Sequence, residues 1–229
     1  MTLTVTMQKI LSLGMFDLRT KLYHHSVKRL PTKGQQIIGY QDESSIVVYQ
    51  AYKRSIAEFA ISTQTLGGPD FSYNRMSWIK PNFLWMMFRC GWAEKENQEA
   101  VLAITISKNF FIEILHNSVI SSFNSDHYDN HDTWKNELNL KPIRLQWDPD
   151  HDPFGNKLSR RAIQLGLKGE LLEKFGTDQI KSIKDATPFV RQQKKLLDSG
   201  QLDSLVIPYE TVFEISDPVL TKRIGVRVD

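Results

Sequence analysis

Residues 83–88 read Phe-Leu-Trp-Met-Met-Phe, without one polar side chain, and stand between Pro81 and Gly91. Proline suits the first turn of a helix and glycine its C-terminal stop. The punctuation therefore predicts a short helix from Pro81 to Arg89. A helix that is apolar nearly all round has no face for water and must be buried.

A chain of 229 residues can bury such a helix without covalent staples. Its 41% hydrophobic and 24% charged residues are ordinary for a globular protein. The single cysteine, Cys90, excludes a disulfide within the chain and suits a reducing compartment. Its neighbours Phe88 and Trp92 predict burial of the thiol rather than reactivity. No apolar run approaches the length that spans a bilayer. Residues 1–14 lack a basic stretch followed by an apolar one, so no secretion signal is read there. The expectation is a cytoplasmic protein with no membrane partner. The net charge of +3 says little about partners; where the cations cluster says more.

Neither an internal repeat nor a low-complexity linker interrupts the chain. Residues 1–34 read as an N-terminal extension that ends in the basic turn Lys28 to Gly34, and 35–229 as one domain. Gln36–Ile38 and the β-branched Ile46–Tyr49 read as strands joined in a hairpin through Gln41–Ser44. Ile56, Ala57, Ala60 and Ile61 have helical spacing within Lys53–Thr65, and Gly67-Gly68-Pro69 stops that helix. Ala100–Ile106 reads as a central strand. Phe110–Ser118 fits a helix or a further strand. Residues 124–139 are polar and read as a surface loop with one helical turn. Ile143–Trp147 alternates as a strand, and Asp148–Pro153 reads as a turn-forming loop. Leu158–Leu167 fits a strand or a helix. Helices are expected at Gly169–Phe175 and Phe189–Asp198, then a strand-like end. The fold class is α+β, with a mixed or antiparallel sheet packed by helices.

Five segments together carry a resemblance: Val48–Tyr52, Arg75–Trp92, Gln98–Ile104, Gln146–Pro149 and Arg161–Leu167. They resemble a widespread bacterial and fungal domain of unknown function, with a signature similar to R-M-T-W-I-K-P-S-F-L-W-M-M-Y-R-S-G-W. The likeness covers roughly residues 36–220. Ser77, Asn82 and Cys90 depart from that signature, and Ile38-Gly39 stands where relatives often carry Arg-Ala. The resemblance implies no established activity.

Arg75 and Lys80 flank Trp78 just ahead of the helix that starts at Pro81. Helix N-termini present free N–H groups and partial positive charge, so this grouping points to a phosphate or carboxylate site. The competing reading leaves both cations in solvent and puts Trp78 in the core. Tyr49 and Gln50 stand at a strand-to-helix junction, a common place for ligand contacts. Core packing of Tyr49 is the alternative. Arg144, Trp147, Arg160, Arg161 and Gln164 form a second basic and aromatic set, although strand alternation puts Arg144 and Gln146 opposite Leu145 and Trp147. The ligand-binding candidates are thus Tyr49, Gln50, Arg75, Trp78, Lys80, Arg161 and Gln164. Asp148, Asp150, His151 and Asp152 offer oxygen ligands, yet Asp-Pro pairs form ordinary turns, and no metal site is predicted. Glycine-rich phosphate loops, nucleophile elbows, H-E-x-x-H and paired C-x-x-C motifs are absent from the sequence.

Two functional classes fit. The element order is similar to that of ADP-ribosyltransferases, which hold NAD in the cleft of a split sheet. On that reading Gln50 takes a ribose-binding position and Arg75 and Lys80 hold pyrophosphate; Glu99 and Glu210 are candidates for a catalytic carboxylate that no neighbouring motif supports, and the catalytic residues stay unassigned. The alternative is a non-catalytic module that binds nucleic acid through interleaved cations and aromatics.

Overall fold

The computed structural model describes residues 17–125 and 127–228; the first sixteen residues of the predicted extension lie outside this range. In chain order the main elements are β1 (Thr20–Leu22), α1 (Tyr23–Val27), β2 (Ile38–Gly39), β3 (Ser45–Tyr52), α2 (Arg54–Thr63), β4 (Ser77–Ile79) and α3 (Phe83–Cys90). Then follow β5 (Ala100–Ser107), α4 (Lys108–His116), β6 (Ser118–Ile120), α5 (His131–Leu140), β7 (Ile143–His151) and β8 (Lys157–Leu167). The chain continues with α6 (Glu170–Thr177), β9 (Ile180–Asp185), α7 (Thr187–Asp198), β10 (Val206–Pro208), β11 (Thr211–Val212) and α8 (Pro218–Arg223). The protein is α+β.

Two sheets form the centre, ordered β3-β5-β9 and β4-β8-β7-β6. All pairings within them are antiparallel except β6 with β7. They meet at one bridge. Tyr49 N donates to Lys80 O at 2.7 Å, and Lys80 N donates to Tyr49 O at 3.1 Å.

Helices cover both faces, and strand periodicity sorts the side chains between them. Ile46 and Val48 of β3 join a core with Ala57 and Ala60 of α2, Phe111 of α4 and Phe175 of α6. Val47 and Tyr49 enter the opposite core with α3 and with Phe189 and Val190 of α7. The apolar helix α3 is buried as its composition demands, from Phe83 through Met87. Asn82 caps it, accepting the Trp85 amide at 2.8 Å. Gly91 ends it at φ 58°, a left-handed conformation that glycine adopts at little cost.

Several expectations are corrected. β2 pairs with β11 rather than with β3; the expected turn is present just after it, with the bridge Gln41↔Ile46 and the Val47 amide donating to Tyr40 O at 2.9 Å. Residues 131–140 form helix α5 instead of a loop; none of its residues is buried, so the apolar periodicity that marks a helix is missing there. Asp148–His151 continue β7, and the turn comes later. Asp152 Oδ1 accepts the amides of Phe154 and Asn156 there, both at 2.9 Å. Pro149 is tolerated because the ladder shifts register between Pro149 and His151. The open choices resolve to a helix at α4 and a strand at β8. The strand-like end is two short strands followed by α8, whose N-cap is Asp217. From the predicted extension, β1 pairs with β10, Thr20 opposite Pro208.

Candidate functional site

The cross-strand register sets Gln146 of β7 directly opposite Gln164 of β8. Gln164 Nε2 donates to Gln146 Oε1 at 2.8 Å and to Asp148 Oδ2 at 2.7 Å. One amide thereby ties an amide and a carboxylate of the neighbouring strand into a fixed polar row. Leu145, Ile163 and Leu165, the intervening residues, point into the core.

β6 stops at Ile120, so β7 is left uncovered beyond that point. A cavity of about 540 Å³ opens there. Arg161, Gln146 and Asp148 line it on the sheet side, with Gln35 beside them. Ser121, Ser122 and Phe123 close it from the segment after β6. The walls are firmly built. Gln35 exchanges two backbone hydrogen bonds with Arg227, both 2.9 Å, and its Nε2 donates to Gly225 O at 2.6 Å. Trp147 Nε1 donates to Ile224 O at 2.7 Å. Arg161 N donates to Gly34 O at 2.8 Å, whereas its guanidinium is exposed and has no ion pair among the described residues. Phe123 is 39% exposed and packs edge-on near Trp134.

The sequence candidates distribute unevenly around this cavity. Arg161 lines it and Gln164 braces two of its lining residues. Arg75 is exposed in the loop before β4. Trp78 is half-buried over Gly166, where an added Cβ would lie 2.9 Å from the indole. Tyr49 is fully buried, edge-on to Phe83, and its hydroxyl has no hydrogen-bond partner. Gln50 is buried; its Nε2 donates to Ser77 Oγ at 2.7 Å, and its Oε1 has no partner.

Lys80 is 3% exposed, and its Nζ has one long contact, 3.5 Å to Trp78 O. Burial and the nearby Arg89 lower its pKa to about 8, against a smaller opposing pull from Asp148. Of the two cations ahead of α3, Lys80 is thus buried and Arg75 exposed. The acceptor at the N-terminus of α3 is the chain's own Glu210, whose Oε1 accepts the Phe83 amide at 2.6 Å. That carboxylate was not expected in this role, and only the three-dimensional fold brings it across 127 residues.

Most of the second basic set is committed to the scaffold. Arg144 donates to Lys141 O at 2.8 Å and Leu138 O at 2.6 Å. Arg160 Nε pairs with the buried Asp150 at 2.6 Å, and its NH1 reaches Pro31 O at 3.1 Å. Of that set Arg161 and Trp147 line the cavity. Asp148, Asp150 and Asp152 likewise have separate tasks, and among the described residues no group of three or more His, Cys, Asp or Glu is placed to hold a metal. Glu99 accepts the Asn97 amide at 2.7 Å and lines a different cleft, with Arg54 and Arg191. Cys90 is buried, and burial raises its thiol pKa. Among the described residues no helix is long and apolar enough to cross a membrane.

No curated protein shows significant similarity to this chain. The model of one family matches residues 36–213, from just ahead of β2 to just beyond β11, and so takes in both central sheets and the cavity's sheet wall. The chain belongs to that family, described as a domain of unknown function, DUF4291.

Proposed function

We propose that the cavity at the open edge of β7 binds a nucleotide-type ligand, NAD included. The carrying observation is that Arg161, Gln146 and Asp148 line one polar cavity of about 540 Å³, within the size range of small-molecule sites. Each group suits one part of such a ligand. A guanidinium without a carboxylate partner suits phosphate, which it binds through paired N–H donors. Asp148 and Gln146, held by Gln164, offer acceptors to ribose hydroxyls. Phe123 offers a ring face for a base. A transferase of ADP-ribosyltransferase type remains the reaction class that this ligand and the element order favour. The meeting of two sheets at the single bridge between Tyr49 and Lys80 agrees with a split sheet. The fold analogy alone does not assign a reaction.

The test is calorimetric titration of NAD, AMP and adenosine into the wild type, Arg161→Gln and Asp148→Asn. Loss of one charge-assisted contact, about 1.5–3 kcal/mol, weakens AMP and NAD about ten- to a hundredfold. Adenosine binding stays unchanged in Arg161→Gln and weakens in Asp148→Asn. A wild type that binds none of the three ends the proposal. Equal binding of AMP to wild type and Arg161→Gln moves the phosphate elsewhere. Release of nicotinamide from NAD by the wild type, abolished in Asp148→Asn, separates a transferase from a binding module.

A further inference from the structure

Between Asp17 and Asp42 the chain carries five cations, Arg19, Lys21, Lys28, Arg29 and Lys33, and no carboxylate. The whole chain has a net charge of only +3, so the remainder is net acidic. The charge is therefore concentrated, and this segment lies outside the sets singled out from the family signature.

The fold gathers three of these cations further. Pairing of β1 with β10 places Thr20 opposite Pro208, and Tyr209 N donates to Arg19 O at 2.8 Å. Around the Tyr209 ring stand Arg19 at 4.0 Å, Lys21 at 4.7 Å and Arg29 at 5.3 Å from its centroid. None of the five cations forms an ion pair with a carboxylate among the described residues. The neighbouring Glu210 does not neutralise them, because its carboxylate is turned inward onto the Phe83 amide. An aromatic ring attracts a cation, and here it holds three that repel one another. A polyanion relieves that repulsion and gains a contact from each.

We infer that this face, centred on Tyr209 and continued by Lys28 and Lys33, binds the phosphate backbone of a nucleic acid. An anionic lipid surface is the poorer fit. Lipid-surface segments pair their cations with apolar side chains that enter the bilayer. Among the described residues the large exposed hydrophobics are Phe88, Phe123, Leu140, Phe154, Val219 and Val228, none of them between Asp17 and Asp42. The inference is independent of the cavity at Arg161.

The test is fluorescence anisotropy of a labelled oligouridine between about 50 and about 200 mM salt, where backbone contacts register as a salt slope. The proteins are wild type, the triple variant Arg19→Gln/Lys21→Gln/Arg29→Gln, and the double variant Lys28→Gln/Lys33→Gln. Lys135→Gln/Lys168→Gln/Lys195→Gln, exposed elsewhere, serves as the control. Each lost single-strand phosphate contact flattens the slope of log K against log salt by about 0.7. The triple variant therefore flattens it by about 2 and the double variant by about 1.4. The control triple keeps the wild-type slope. The double variant changes side chains that are exposed and without hydrogen-bond partners among the described residues, so it reports even where melting shows that the triple has lost its fold. The inference is overturned by absence of wild-type binding at the lower salt. It is equally overturned by a control triple that loses as much as the Tyr209 triple, or by tighter binding to phosphatidylserine vesicles than to the oligonucleotide.

Discussion

Glu210 closes the N-terminus of α3 from the far end of the domain: its Oε1 accepts the Phe83 amide at 2.6 Å, and Asn82 Nδ2 approaches Oε2 at 3.4 Å. The first amides of a helix lack partners within the helix. A buried helix must find them elsewhere, since an unpaired buried N–H costs about 1–3 kcal/mol. Here Asn82 and Glu210 supply the acceptors. A strand-flanked carboxylate thereby fixes where the signature helix begins.

That service has a pH signature. Burial raises the Glu210 pKa well above the usual carboxylate range, although the Phe83 amide pulls it down, and Asp150 raises it further. In the unfolded chain a glutamate ionises near about 4.3. Between the two pKa values the folded chain holds one proton more than the unfolded chain. Stability therefore falls as pH rises through this window, by up to about 1.4 kcal/mol per pH unit. Glu210→Gln retains an acceptor for Phe83 and removes the titration. Relative to wild type, its urea midpoint rises as pH increases above the unfolded value of about 4.3. Parallel pH profiles for the two proteins would show that Glu210 titrates as an exposed acid.

Asp150 and Arg160 form an ion pair at 2.6 Å with side chains 0% and 6% exposed. Breaking a buried pair leaves an uncompensated charge, at a cost of about 3–5 kcal/mol. Asp150→Asn and Arg160→Met are each expected to lose that much. The double variant recovers part of the loss, because two neutral side chains no longer need each other. Urea unfolding of all four proteins in a double-mutant cycle measures the coupling. Additive losses would show that the pair contributes nothing as a pair.

Trp85 is 6% exposed and lies near-parallel to Phe88 at 5.4 Å and His151 at 5.3 Å. Trp85→Ala is expected to cost about 3–5 kcal/mol. Its Nε1 is buried without a hydrogen-bond partner, so Trp85→Phe keeps most of the packing and relieves an unsatisfied donor. Thermal melts should therefore place Trp85→Phe close to wild type and Trp85→Ala far below it. A small loss in Trp85→Ala would mean that α3 is not a core element.

The contrast between α3 and α5 explains what the sequence reveals. Phe83–Met87 leave one option, burial, and the bounding Pro81 and Gly91 fix its ends to within about two residues. α5 has the opposite character. Its ends depend on Asn130, whose Oδ1 accepts the Thr133 amide at 2.9 Å, and an Asn in a polar run looks the same in a loop. The site behaves likewise. Arg161 and Gln164 are two strand positions whose register partners, Pro149 and Gln146, are in the segment read as strand and turn. Their grouping with Gln146 and Asp148 follows once β7 extends to His151. The roles of Gln35 and Ser121–Phe123 carry no local signal, because pairing with Arg227 brings Gln35 to the cavity and the early end of β6 brings Ser121–Phe123. Arg160 and Arg161 are adjacent and alike in sequence, yet strand alternation puts Arg160 on the face of Gln164, where it pairs with a buried aspartate, and Arg161 on the opposite face with Trp147, beside which it lines the cavity.

Lys80 gives the last prediction. Its ammonium is buried with one long contact and has a pKa lowered to about 8. An unfolded lysine titrates near about 10.4. Between those values the unfolded chain holds one proton more, so wild-type stability rises with pH across that window. Below about pH 8 the lysine is charged in both states, and the whole burial penalty is present. Taken from the shift, that penalty is about 3 kcal/mol. Lys80→Met keeps the stem in place and removes the charge. The variant is expected to be more stable than wild type at pH 7, with the advantage vanishing as pH approaches about 10.4. Urea midpoints at neutral and alkaline pH measure both quantities. A variant less stable than wild type at pH 7 would show that the ammonium has a strong partner within the fold. Equal stability at both pH values would mean that water reaches the Nζ freely. The expected outcome, a neutral replacement that stabilises, marks Lys80 as a position where charge is kept at a cost to the fold. Such groups concentrate at functional sites. The polar row of Gln164, Gln146 and Asp148 connects its surroundings to the cavity, since Asp148 both acts on Lys80 and lines that cavity.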